Sequence, residues 1–166
     1  MTPRTRVVAR RVSVERHKNG NISKVCRHVE LSNGRKIMHG VQTCYDTRGE
    51  LLDFVPTRYG RVHGVVLRTF EGGDFLLGRY VNGKAQGVVQ YFDKHGNTIS
   101  LSEKKNGWPV GLQIYFAKYG YDSDGYEKPS VSAAYTVDEQ SRMHGVALET
   151  NDGRCSFSVW WHGTEI

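Results

Sequence analysis

A glycine followed by valine or leucine returns at Gly40, Gly64, Gly87, Gly111 and Gly145, at intervals of 24, 23, 24 and 34 residues. A second glycine follows nine residues later at Gly49, Gly73, Gly96 and Gly120, and eight later at Gly153. Two glycines held in phase over successive periods of this length mean one small unit used several times. Such arrays present surfaces more often than they build buried catalytic pockets.

The stretch from Asn82 to Gly107 shows what the unit is. Val88 to Phe92 and Thr98 to Ser102 are short runs rich in β-branched and aromatic residues, separated by Asp-Lys-His-Gly-Asn. That is a hairpin pattern. Gly96 supplies the positive φ of the turn, and Asp93 bonds its own backbone. Asn82-Gly83 and Asn106-Gly107 mark the connections to neighbouring hairpins.

Counted from each leading glycine, positions one, three and five form a mostly apolar set, for example Val65, Leu67 and Thr69, or Leu112, Ile114 and Phe116. Positions two and four are mixed, for example Gln113 and Tyr115. The alternation predicts strands packed through the odd positions. No helical periodicity is sustained anywhere. A lone hairpin is barely stable in water, so the copies are expected to stack edge to edge. The fold expected is all-β, a single elongated solenoid or twisted ribbon of about five antiparallel hairpins. Residues 1–33 read as a basic arm with an irregular capping hairpin, 34–120 as the regular repeats, and 121–166 as a loop insertion with a divergent last repeat.

These features resemble the MORN repeats, in the variant of about 23–24 residues per unit found in bacterial and large-virus proteins. The Gly-x-x-x-Gly corner of that family stands here as Gly60 to Gly64, Gly83 to Gly87 and Gly107 to Gly111. Its aromatic strand stands as Tyr91-Phe92 and Tyr115-Phe116. The match runs from Gly34 to Gly120, but Gly34 to Gly40 is two residues too long and Phe70 falls one place late. The resemblance implies a non-enzymatic scaffold or assembly role, extending to structural components of virions or virus factories. An antitoxin-like partner protein is a further reading drawn from bacterial relatives.

Charge is unevenly placed. Residues 1–36 carry ten Lys or Arg against Glu15 and Glu30, while the rest carries thirteen basic and fifteen acidic residues. Arg4, Arg6, Arg10, Arg11, Arg16 and Lys18 therefore form a candidate site for phosphates, in nucleic acid or anionic lipid, or for an acidic protein. Arg35, Arg61 and Lys84 each follow a turn glycine and are expected to extend that charge as a row. The same residues would also serve as edge protection.

Tyr121 to about Ser130 is surplus to the period and expected to be a surface loop, with Tyr121 and Tyr126 as partner contacts. Its Asp122-Ser-Asp124 run is too short for a calcium loop. Trp160 and Trp161 precede His162-Gly163, which looks like the start of an unfinished repeat, and mark an end for self-association or docking.

Cys26, His28, His39 and Cys44 can be written as a zinc pattern, but the spacing departs from the tight pairs zinc prefers. No phosphate loop, nucleophile elbow or paired-carboxylate signature is present. No enzyme, cofactor or metal is expected. Three cysteines at irregular spacing favour reduced thiols and an intracellular setting. No stretch is long and apolar enough for a membrane helix.

Overall fold

A computed structural model describes residues 6–121, 127–151 and 154–166, the side chains of 118–121 and 127–129 excepted. All described regular structure is strand, and the fifteen strands belong to one open antiparallel sheet. The chain divides into two compact units. The first holds the residues up to Thr69 with Arg79–Gly83, the second Phe70–Gly78 with Lys84–Ile166.

In the first unit β1 (Val7–Arg16), β2 (Ile22–Leu31), β4 (Gly40–Tyr45), β5 (Leu51–Arg58) and β7 (Gly64–Thr69) follow one another in the sheet. Two short strands lie off this path: β3 (Lys36–Met38) pairs β2, and β6 (Arg61–Val62) pairs β5. Strand β8 (Phe75–Val81) carries the chain between the units. The second unit runs in order through β9 (Lys84–Phe92), β10 (Thr98–Lys105), β11 (Trp108–Tyr121), β12 (Glu127–Val137), β13 (Gly145–Asn151), β14 (Arg154–Trp161) and β15 (Thr164–Glu165).

Two kinds of turn make the hairpins. In Asp46–Glu50 and Asp93–Asn97 the aspartate amide donates to the fifth residue's carbonyl, and Gly49 or Gly96 donates back to the aspartate carbonyl. The aspartate Oδ1 accepts two further backbone amides, from Arg48 and Glu50 in one turn and from His95 and Asn97 in the other. Phe70–Asp74 keeps the same backbone bonds with Phe70 in the aspartate's place.

The second kind is a two-residue turn in which both residues have positive φ, as type I′ geometry requires. It occurs at Tyr59-Gly60, Asn82-Gly83, Asn106-Gly107 and His162-Gly163. In each, the glycine amide is tied to the carbonyl of an earlier residue: Met38, Val62, Ala85 and Met143 respectively. His162-Gly163 thus completes a turn of the same kind as the others.

In most repeats the structure reverses the expected packing face, although Thr43 at position three is buried. Position-one residues Val65, Val88, Leu112 and Val146 are exposed, whereas position-two residues Gln42, Val66, Val89, Gln113 and Ala147 are buried. The inner face is one of close approach, which selects side chains by size and hydrogen bonding as well as by hydropathy. Gly78 shows the closeness, since a Cβ there would meet Val89 Cγ2 at 3.0 Å. Small side chains, and polar ones that bond back to the backbone, fit such a face. Val66, Leu76 and Val89 are buried with them, while Val65, Val88, Leu112 and Val146 are left exposed.

Two irregularities of the repeat also resolve. The two surplus residues before Gly40 belong to a turn at Leu31–Arg35 that leads into β3. The same backbone bonds occur at Asp138–Arg142, and both turns run into Met-His-Gly, at 38–40 and 143–145. Of the residues expected as a loop from Tyr121 to Ser130, Tyr121 and 127–130 are strand instead. Strand β11 reaches Tyr121 and β12 starts at Glu127, with Gly120 opposite Lys128 and Tyr121 opposite Glu127. Residues 122–126, Tyr126 and the Asp122-Ser-Asp124 run among them, lie outside the described residues, as does Gly153.

Candidate interaction surface

The outer face of the second unit is built from the register upward. Gln90, Leu101, Ile114, Ala134, Leu148 and Phe157 stand directly opposite one another in turn, from β9 to β14, and so share one face. On the same face Val146 stands opposite Val159. Val88 is 56% exposed, Leu112 48%, Val146 59%, Phe157 71% and Val159 44%. The inner row is the reverse: Val89, Gln113 and Ala147 are each 2% exposed and Ser102 6%. Monomeric soluble proteins rarely leave contiguous apolar patches beyond roughly a few hundred Å² uncovered.

The inner row is fixed by hydrogen bonds. Gln113 Nε2 donates to the Glu103 and Val110 carbonyls at 3.2 and 3.0 Å, and its Oε1 accepts from the Ser102 hydroxyl. Tyr135 lies opposite Gln113, and burial, helped by the neighbouring Tyr115, pushes its hydroxyl pKa up to about 12. In the first unit Gln42 plays the same part. Its Oε1 accepts the Arg27 amide at 2.8 Å, and its Nε2 donates to the Arg27 carbonyl at 2.8 Å. The amide side chain thereby stands in for a rung of the ladder where β2 and β4 diverge.

The expected basic residues fall in different places. Arg4 lies outside the described residues. Arg6 precedes β1, and its amide and carbonyl pair with Ser32. Arg10, Arg11 and Arg16 are exposed along β1, which pairs with β2. Lys18 is exposed in the β1–β2 turn. Arg35 and Arg61 are exposed next to their turn glycines in the first unit, and Lys84 opens β9 in the second. Tyr121 ends β11.

At the end of the second unit, Trp161 is exposed while Trp160 is half-buried and donates from Nε1 to Ser158 Oγ at 2.7 Å. Trp161 and His162 both lie against His144, with ring centroids 4.7 and 4.9 Å away, and His144 Nδ1 is buried without a hydrogen-bond partner among the described residues. Asp138 Oδ2 is 2.9 Å from His162 Nδ1 and from Arg142 Nε. The His162 bond, with the Arg142 amide and guanidinium, holds the Asp138 carboxyl well below its ordinary range. A carboxyl depressed in the folded state adds stability above its unfolded pKa, and that stability fades as pH falls toward the folded value. His162→Ala is therefore expected to move the Asp138 carboxyl titration, followed by NMR, back up toward about 4. An unmoved midpoint would refute the assigned cause.

The histidines before the repeat glycines serve geometry. His39 Nδ1 faces the Tyr59 amide at 3.3 Å and His63 Nδ1 the Asn82 amide at 3.5 Å, each beside a two-residue turn. Among the described residues no group of three His, Cys, Asp or Glu is placed to hold a metal, so Cys26, His28, His39 and Cys44 are not brought together. All three cysteines are free, and burial pushes the Cys44 thiol up. A cleft beside the Asp93 turn is lined by Asp74, Lys94, Ile99 and Phe116. Its Asp93 carboxylate is occupied by Asn97 and the turn amides. Among the described residues no helix is long and apolar enough to cross a membrane. The chain matches no family model and no curated protein.

Proposed function

We propose that the chain is a non-enzymatic protein-interaction module of MORN-repeat type, a scaffold of repeated hairpins that binds a protein partner through the outer face of its second unit. The observation that carries this reading is the inverted burial. Val88, Leu112, Val146 and Phe157 stand exposed on the outer face, while Ser102 and Gln113 are buried beside Val89 and Ala147 on the inner one. Nothing in the stability of such a sheet calls for Val88, Leu112, Val146 and Phe157 to be apolar, because substitutions at exposed strand positions cost little. Their apolar character suits a partner that removes them from water, at about 25 cal/mol per Å² of apolar area.

The test is site-specific photocrosslinking in cells. A crosslinker at Leu112 or Val146 should capture a discrete protein band, and one at Lys18, exposed in the β1–β2 turn of the first unit, should not. Val88→Lys combined with Leu112→Lys should abolish the band while leaving the thermal midpoint within a few degrees of the parent. Crosslinks that persist in the double variant, or that arise equally at Lys18, would end the proposal.

A further inference from the structure

Strand β1 has β2 on one side, and no described strand pairs its other edge. It is ten residues long, and every residue but Ala9 is exposed. The edge at the far end of the strand order is the two-residue β15. A long free edge presents a row of unpaired N–H and C=O groups, and proteins normally shorten, bulge or cover such edges to avoid aggregation. Here the strand carries no proline, and its register with β2 is unbroken from Ala9 to Glu15.

The side chains flanking that edge are specific. Arg10, Val12 and Val14 share one face, and Arg11, Ser13 and Glu15 the other. Arg10 forms no ion pair among the described residues, and Arg11 reaches Glu30 only at 4.0 Å. Val12 and Val14 are 59% and 48% exposed. Two adjacent arginines, one on each face, would repel a second β1 laid against the edge and attract carboxylates at neighbouring positions of an incoming strand. The valines favour β-branched residues across from them. Phosphates would answer the arginines but neither the valines nor the backbone row, and β1 has no aromatic ring on which bases stack.

We propose that the free edge of β1 takes up an acidic extended segment of another protein as an added antiparallel strand. Main-chain bonds would supply the affinity and the arginine pair the selection. This surface lies in the first unit and does not depend on the outer face of the second, so either proposal can fail alone.

The probe is a capped peptide, Glu-Lys-Val-Thr-Val-Glu-Glu-Thr, which places acids opposite Arg16, Arg11 and Arg10, valines opposite Val14 and Val12, and lysine opposite Glu15. The full chain should bind it at low salt in fluorescence anisotropy, and Arg10→Glu with Arg11→Glu should weaken binding at least tenfold. Hydrogen exchange by NMR on the unaltered protein gives a reading free of folding effects. At saturating peptide, alternate amides between Ala9 and Glu15 should slow at least tenfold while those of β15 stay unchanged. Several results would overturn the proposal. These are no binding, equal binding of a peptide with lysine in place of glutamate, or binding without β1 protection. It also fails if β1 is already protected in a self-associated chain, or if a DNA oligonucleotide binds through the arginines where the peptide does not.

Discussion

Gly64→Ala is expected to lower the stability of the protein by about 3 kcal/mol, read as a fall in the urea midpoint at constant slope. Two costs combine. The glycine holds φ at +125°, outside the left-handed well that an alanine tolerates. A Cβ there would also stand 2.8 Å from Pro56 Cγ, part of a ring that cannot rotate away. Gly87→Ala separates the two contributions. Its φ of +76° lies near the left-handed well and nothing stands within 4 Å of the added carbon, so only backbone strain of about 1 kcal/mol remains. Equal losses in the two variants would show that the corner glycines are not distinguished by what packs against them.

Gln42→Leu is the second large effect, again about 3 kcal/mol. The side chain is buried, and replacing it strands the Arg27 amide without an acceptor and removes donors from the Arg27 and Gly40 carbonyls. A buried donor or acceptor left unpaired costs about 1–3 kcal/mol. Leucine is of similar volume, so the loss reports the hydrogen bonds and not a cavity. Val65→Thr is the contrasting variant. It replaces a valine at a position that alternation assigns to the core, yet it should change the midpoint by less than about 0.5 kcal/mol because the residue is exposed. A large loss at Val65 with a small one at Gln42 would mean that the burial described for this sheet is inverted.

That contrast shows what was legible beforehand. Turns were, because their chemistry is local. Asp93 and Gly96 close one hairpin, and Asn82-Gly83 and Asn106-Gly107 join others, with the positive φ that the residue types imply at Gly96 and at both residues of each pair. Strands were legible too, through alternation alone. Which face would close was not. Hydropathy sorts side chains by their cost in water, but the buried side of this sheet also takes Gln42, Ser102 and Gln113, whose polar atoms are hydrogen-bonded. The shared Met-His-Gly of 38–40 and 143–145 carried a signal that the glycine count obscured, since it pairs the Leu31–Arg35 turn with the Asp138–Arg142 turn. Val12 and Val14, with Ile22 and Val25 beyond the His17–Asn21 turn, make the capping hairpin legible, and it forms as β1 and β2. The charge of Arg10, Arg11 and Arg16 reads as an arm because sequence does not show that they ride on the first strand of that hairpin.

The ties from Gly60 to Met38, Gly83 to Val62 and Gly107 to Ala85 each fasten a turn to a point one repeat upstream. Load drawn along the chain within either unit therefore meets short tethers, each about one repeat long. Within either unit, tension at a terminus would be released one hairpin at a time. Each step would free a repeat's length of slack, roughly 80 Å for some 23 extended residues. A strand of this kind yields like a row of stitches and keeps what lies beyond the last broken one.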